Sequence, residues 1–319
     1  MNIKHAQYML TVMQEGSITA AAKKLYISQP SLSANIKRIE GKVGYPLFDR
    51  STKPLSLTEC GEKYIQSIEK IMAVENEFAD YVNDWGDLKT GSLVLGGSSL
   101  FASWVLPGLI GRFSARYPKV HVELVEESTA ELARLLQQGR IDMMLDNCKL
   151  DPKLFDHAVY REETLFLAVP YKFPAIREAS PYMVSREMIV TGGWKDESVK
   201  HVPLELFARE PFVMLKPEND TRKRAVEILE RAGISPEISL ELDQQLTSYH
   251  VVCSGLGIAF VSDTLIREVP ARSDVAYFKL PEDRRSRNLS FYWKAGRYRT
   301  RAMQEFLKLT TTTPTHPQN

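Results

Sequence analysis

Residues 19–50 read Thr-Ala-Ala-Ala-Lys-Lys-Leu-Tyr-Ile-Ser-Gln-Pro-Ser-Leu-Ser-Ala-Asn-Ile-Lys-Arg-Ile-Glu-Gly-Lys-Val-Gly-Tyr-Pro-Leu-Phe-Asp-Arg. This stretch encodes two short helices, a tight break between them and a small wing. Ala21, Ala22 and Leu25 share one face of the first helix, and small residues there let a second helix cross closely, as a helix-turn-helix requires. The break falls at Tyr26–Ser28, with Ser28 placed to cap the second helix. Pro30 then sits in the first turn, where a missing N–H costs nothing.

In the second helix Leu32, Ile36 and Ile39 make one apolar stripe. The opposite face offers Gln29, Ser31, Ser33, Asn35, Lys37 and Arg38, with no carboxylate before Glu40. Amides and hydroxyls suit base edges, and cations suit phosphates. A polar solvated face explains most such helices, but the joint pattern of alanines, break, cap and wing favours a helix that reads DNA.

The string Thr19-x-Ala21-Ala22-x-x-Leu25-x-x-Ser28-Gln29-Pro30-x-x-Ser33-x-x-Ile36-x-x-Ile39-Glu40, closed by Leu47-Phe48-x-Arg50, resembles the N-terminal signature of LysR-type transcriptional regulators. The resemblance implies a winged helix-turn-helix with Gln29, Pro30 and Ser33 near bases and Arg50 at the wing and phosphate backbone. Thr19, Ser28, Ser31, Asn35, Lys37, Arg38 and Lys53 complete the expected DNA-binding set. Position 34 departs from the pattern. It is Ala where many members carry a longer, often basic side chain, so Asn35 or Arg38 is expected to supply that specificity.

Charge placement agrees. The net charge of the 319-residue chain is only +1. Residues 1–60 nevertheless hold eight cations against four carboxylates, which leaves −3 for the remainder. A local excess on one small region is what phosphate binding needs. Length suggests two or three domains, and 25% charged with 44% hydrophobic residues is ordinary for a globular chain.

From Thr58 to Leu88 the chain reads as one proline-free helix with Thr58 as its cap. Tyr64, Ile68, Ile71, Phe78, Val82 and Trp85 keep a heptad register, which predicts a dimer seam. Docking on the chain's own core is the competing explanation. From Gly91 onward, strands at 92–96, 120–125, 141–145, 165–170, 212–215, 238–242, 258–261 and 289–293 alternate with helices. Such alternation predicts an α/β sheet.

This half also resembles the family, through Leu106-Pro107, Arg116-Tyr117-Pro118, Gly139-x-Ile141-Asp142, Pro211-Phe212, Arg231-Ala232-Gly233 and Gly255-Leu256-Gly257-Ile258-Ala259. The overall class is therefore expected to be α/β, with an all-α winged helix-turn-helix and linker helix before a two-lobed domain like a periplasmic binding protein. Expected boundaries are 1–58 for the DNA-binding domain, 59–90 for the linker helix and 91–309 for the effector domain. Lobe I would take about 91–161 and 267–309, lobe II about 162–266, and 310–319 would be a disordered tail. Tyr171–Glu210, with Trp194 inside it, is longer than the family usually has and is expected to reshape the cleft rim. Val261-Ser262-Asp263 stands where a Leu/Val-Pro ending is common.

In open α/β sheets ligands bind beyond the carboxyl ends of strands, near helix N-termini. Two strand ends fit: Gly96-Gly97-Ser98-Ser99-Leu100 and Glu126-Glu127-Ser128-Thr129. Ser98, Ser99, Leu100, Ser128 and Thr129 are thus the expected effector site, suited to a small anion. Simple helix capping by the same hydroxyls is the plain alternative, and Glu126 and Glu127 would repel an anion.

Enzyme chemistry finds no motif. Gly255-Leu256-Gly257 lacks the third glycine of a dinucleotide fingerprint, because Phe260 stands there. The six histidines lack metal-ligand spacing, so no catalytic residue, metal or cofactor is expected. Cys60, Cys148 and Cys253 form no CxxC pair. A thiol-responsive or ligand-independent switch is the alternative to effector control. Without a membrane-length apolar run or a signal-peptide core, the cytoplasm is the expected location. Expected partners are operator DNA with dyad symmetry, a small-molecule effector, further copies of the chain as dimer and tetramer, and RNA polymerase.

Overall fold

The computed structural model describes residues 3–83, 91–281 and 285–311. The chain divides into two compact units, Met1–Val82 and Asn83–Asn319. The first contains α1 (Ile3–Glu15), α2 (Ile18–Lys24), α3 (Gln29–Val43), β1 (Phe48–Asp49), β2 (Ser56–Leu57) and α4 (Glu59–Asn83). Ser17 caps α2 through Ala20 N–H, and Ser28 caps α3 through Ser31 N–H. Gly44, in the left-handed region at φ 84°, ends α3, a conformation that costs glycine little. Strands β1 and β2 pair antiparallel and form the wing.

Ala21, Ala22, Leu32, Ile36 and Ile39 are buried with Met9, Leu47, Phe48, Ile65 and Ile68 in one core. Two expectations change here. Ile68 is only 1% exposed inside this core, and Tyr64 packs against it. Both serve the chain's own head and not a partner, because the first turns of α4 close the winged domain. For the same reason the 58/59 boundary cuts through one compact unit. Farther along, Ile71, Val74, Phe78, Tyr81 and Val82 are exposed. Trp85 lies outside the described residues.

The second unit begins with β3 (Gly91–Gly97), a π-helical turn at Phe101–Val105, α5 (Leu106–Arg116), β4 (Val120–Glu126), α6 (Thr129–Gln138) and β5 (Met143–Asp146). A long strand, β6 (Phe155–Pro170), follows. The extra segment supplies α7 (Ile176–Ala179), β7 (Met183–Val184), α8 (Arg186–Thr191) and short 3-10 turns. Then come β8 (Phe212–Leu215), α9 (Asp220–Arg231), β9 (Ile238–Leu242), α10 (Gln245–Cys253), β10 (Ala259–Ser262), α11 (Asp263–Glu268), β11 (Val275–Lys279), β12 (Ser286–Lys294) and α12 (Arg301–Thr311). The expected tail from 310 starts inside α12, and residues 312–319 lie outside the described residues.

The main sheet runs β4-β3-β5-β12-β6-β11-β7, with β10 also paired to β6. The first two-thirds of β6 pairs with β12, and its last third pairs with β10 and β11. One strand thus belongs to both lobes. Because β11 lies on the lobe II half of β6, residues near 275–279 go with lobe II, contrary to the expected boundary at 267. Strands β8 and β9 are parallel and meet β10 through a Phe212–Ile258 bridge. One core cluster continues across both lobes, and smaller clusters fill the opposite faces. Trp194 is buried edge-on to Phe166, so the extra segment is packed on the sheet.

One glycine in the head is required by space. A Cβ at Gly61 would lie 2.0 Å from the Leu47 carbonyl oxygen, where α4 crosses the wing backbone. Backbone cannot yield as a flexible side chain does. Gly61→Ala should therefore destabilise the N-terminal unit by about 1–3 kcal/mol, lowering its urea midpoint while the effector-domain transition stays in place.

Candidate functional site

On α3 the side chains opposite Leu32, Ile36 and Ile39 face solvent. Gln29, Pro30, Ser31, Lys37 and Arg38 are exposed, and Ser33 and Asn35 half-buried. Local hydrogen bonds set their poses. Gln29 Nε2 donates to Ser33 Oγ at 2.9 Å, and Asn35 Nδ2 donates to the Ser31 carbonyl at 2.9 Å. Arg38 Nη2 donates to Asn35 Oδ1 at 2.8 Å and lies 3.0 Å from His5 Nε2. Asn35 and Arg38 are therefore one paired unit beside exposed Ala34. Glu40 accepts from Leu47 N–H and Phe48 N–H and from Arg50 at 2.9 Å, which ties the wing to α3. Thr19, Ser28 and Lys53 are exposed in the same unit.

In the second unit a cavity of about 540 Å³ opens between the lobes. Ser98, Leu100, Ser128 and Thr129 line it, as the strand-end rule expected. Ser99 is not part of the lining, but its N–H and hydroxyl both donate across the cleft to Gln244 Oε1 at 3.4 Å. The Leu100 side chain points into the core.

The hydroxyls are already engaged. Ser128 Oγ accepts from Glu131 N–H as a helix cap, and Thr129 Oγ1 donates to Asp146 Oδ2 at 2.8 Å. No residue of 171–210 lines the cavity, so the long segment does not shape this rim.

Sequence reasoning missed the rest of the lining. Asp146 ends β5 and Asn147 and Lys149 follow it, Lys216 and residues 218–221 follow β8, and residues 243–245 follow β9. The strand-end rule, applied to those strands as well, points to all three groups.

Charge in the cleft is layered. Lys149, Lys216, Lys223, Glu218 and Asp243 are exposed, and Lys216 pairs with Asp243 at 2.7 Å. Below them lie Asp146, Asp220 and Thr221. Asp220 bonds Arg224 at 2.7 Å and Arg287 at 3.0 Å. Arg287 is also held by Glu163 at 2.7 Å, both fully buried, and donates to Thr221 Oγ1. Burial pushes the Glu163 and Asp220 carboxyls up, but the Arg287 charge and hydrogen bonds outweigh it and hold both below the usual range. For Asp146 burial wins. Its carboxyl is pushed up although it accepts from Cys148 N–H and Thr129.

The models for a LysR substrate binding domain and for the bacterial regulatory helix-turn-helix protein, lysR family, match residues 86–192 with 195–313, and 3–62. The chain belongs to the LysR family of transcription regulators. This LysR-type regulator is 27% identical over 310 residues to the HTH-type transcriptional regulator YcgK of Bacillus subtilis, covering 97% of this chain and 94% of that protein. It is 31% identical to a probable RuBisCO transcriptional regulator of Cyanidioschyzon merolae, over 79% of this chain and 78% of that one. In fold it is similar to CbnR solved with its target DNA, at TM-score 0.67, 19% identity and coverage of 98% and 99%. It is likewise similar to full-length OxyR from Pseudomonas aeruginosa, at TM-score 0.68, 20% identity and coverage of 99% and 96%. The LysR-type chain is thus a DNA-binding transcription regulator with an effector-binding domain, in a family of oligomeric regulators and not of enzymes.

The raised Asp146 carboxyl has a measurable consequence. The native state holds this proton more tightly than the unfolded chain does, so the ionised carboxylate destabilises the fold at neutral pH. That penalty vanishes once pH falls below the unfolded value of about 4. Asp146→Asn should raise the melting temperature of the ligand-free protein at pH 7.5, with the gain shrinking toward pH 4. Fluorimetry showing an equal gain at both pH values would contradict the assignment.

Proposed function

We propose that the solvent face of α3 reads operator bases in the major groove, with Thr19, Lys37, Arg50 and Lys53 on phosphates. The observation that carries this is the composition of that face. From Gln29 to Arg38 its polar side chains are all amides, hydroxyls and cations with no carboxylate, beside exposed Pro30 and Ala34, on a helix fixed by its cap and buried stripe. The Asn35–Arg38 pair takes the place of a longer side chain at position 34. Two heads joined by two-fold symmetry would match an operator with a dyad. Such a regulator acts where the chromosome is, in the cytoplasm. Among the described residues no helix is long and apolar enough to cross a membrane.

The dimer seam of this proposal shifts toward the C-terminal part of α4. Val74 and Phe78 are each 67% exposed, and Ile71, Tyr81 and Val82 are exposed with them. A run of apolar side chains on one helix that its own domain leaves uncovered favours a partner helix. Further pairing into a tetramer, and contact with RNA polymerase, belong to the same reading.

The interlobe cavity is the proposed effector site. Ser99 and Gln244 already bridge it, so a ligand that replaces or tightens this bridge would bias the population of lobe arrangements. That bias would change the spacing of the heads and the bending of DNA. Thiol control has less support. Burial, then the neighbouring Asp146 charge, pushes the Cys148 thiol far up, and burial also raises Cys253. Both shifts work against the thiolate that oxidation chemistry needs.

Two tests follow. Ser33→Ala should relax sequence preference, by about 1–3 kcal/mol at the base it contacts. Arg50→Ala should weaken all duplexes alike and reduce the salt slope by about one unit. Equal losses on specific and random DNA for both variants would refute the groove assignment. Val74→Lys with Phe78→Lys should dissociate the oligomer in sedimentation and leave the heads folded, whereas Ile68→Lys should unfold the head. Unchanged sedimentation of the double variant would remove the seam.

A further inference from the structure

Four carboxylates are buried among the described residues: Asp142, Asp146, Glu163 and Asp263. Three have an arginine against them. Asp142 meets Arg297 at 2.7 Å, Glu163 meets Arg287 at 2.7 Å, and Asp263 meets Arg267 at 3.3 Å. Asp146, only 2% exposed, has no ion-pair partner among the described residues, and it alone of the four lines the interlobe cavity. An uncompensated buried carboxylate costs several kcal/mol. Among the described residues Asp146 is the buried carboxylate without an arginine ion pair, and it lies on the cavity floor.

We infer that the effector is a small molecule bearing a protonated amine, whose ammonium group seats on Asp146. The inference rests on the cleft being the effector site. The carboxylate is preoriented for this role. Cys148 N–H donates to Oδ1 and the Thr129 hydroxyl to Oδ2, each at 2.8 Å. The Cys148 thiol bonds the same carboxyl, and since a carboxylate accepts about four hydrogen bonds, a place remains for an incoming donor. The incoming cation supplies what the chain supplies to the other three carboxylates.

An ammonium has three donors, and Thr221, Gln244 and Gln245 line the same cavity. Exposed Lys149 and Lys223 stand in its lining as well, so an amino acid would find a cation for its carboxylate. A diamine would find repulsion there.

The test uses the full-length protein at pH 7.5, with calorimetric and thermal-shift titration of matched probes. The panel pairs each of the common L-amino acids with the acid lacking its amine, such as alanine with propionate and phenylalanine with 3-phenylpropionate. Putrescine and cadaverine complete it. The expected result is an amine that binds wild type about 30-fold or more tightly than its amine-free counterpart, a charge-assisted bond being worth about that much. Asp146→Asn should lose the same factor while melting no lower than wild type.

Lys149→Gln with Lys223→Gln should then weaken an amino acid and tighten a diamine. Ala130→Trp, a lining residue with an exposed side chain, fills the cavity and separates the two levels of the argument. A carboxylic acid bound equally by wild type and Asp146→Asn, but not by Ala130→Trp, keeps the cleft and overturns the amine. An amine bound equally by Ala130→Trp lies outside the cavity and overturns the cleft reading too. Absence of binding by every amine in the panel also overturns the inference.

Discussion

The effector domain turns on one buried contact, the Arg287 guanidinium held between Glu163 and Asp220. Arg287 sits on β12 and Glu163 on β6, where the shared strand leaves one lobe for the other. Asp220 and Thr221 open α9 of lobe II. A single side chain therefore joins both strands of the crossing to the helix that borders the cavity. Removing one partner of such a buried network typically costs about 3–5 kcal/mol, because a charge is left uncompensated in a dry site. The network is better understood as a constraint than as net stabilisation. It forces the start of α9 to keep a fixed relation to the two crossing strands.

That constraint shapes the cavity. Asp220 lines the cleft, but its charge is already met by Arg224 and Arg287, both on Oδ2. Asn147 donates to the Glu163 carboxylate at 2.8 Å, so the loop after β5 is tied to the same network. A ligand pressing on Thr221 would act directly on a partner of Arg287, and one pressing on Asn147 would reach it through Glu163. The neighbouring Asp142, which gives the family's Gly-x-Ile-Asp motif its last residue, does comparable work in lobe I. It accepts from Val94 N–H at 2.7 Å and from Arg297 at 2.7 Å, and so joins the start of β5 to β3 and the chain after β12. Its place in the motif is architectural.

The head was legible because its logic is local. Caps, a proline in the first turn, two alanines and a stripe of three aliphatics lie within some twenty residues, and each acts through near neighbours in the chain. The seam was harder for a physical reason. Heptad spacing states that one helix face is apolar without stating what covers it, and Tyr64 and Ile68 are covered by the wing domain they belong to. Lobe boundaries failed at β11, because an antiparallel return to a shared strand leaves no periodic trace. In the cleft, reasoning from strand ends placed Ser98, Ser128 and Thr129 at the cavity. It then read their hydroxyls as free donors, which only Asp146 and the Glu131 N–H contradict.

The sign of the cleft follows from that last point. A strand end followed by a helix start is electropositive in general, and on that rule alone an anion is expected. Here the sequence spends one of those helix starts on its own carboxylate. Thr129, the first residue of α6, donates to Asp146, and Ser128 caps the same helix. The hydroxyls at this helix start thus serve an internal acid and the helix's own N–H. With the Asp220 charge met by two arginines, Asp146 is the carboxyl of the cavity floor without one. The donors that the rule offers to an anion at this strand end are taken by the chain's own groups, and the proposed cation meets the acid they hold in place.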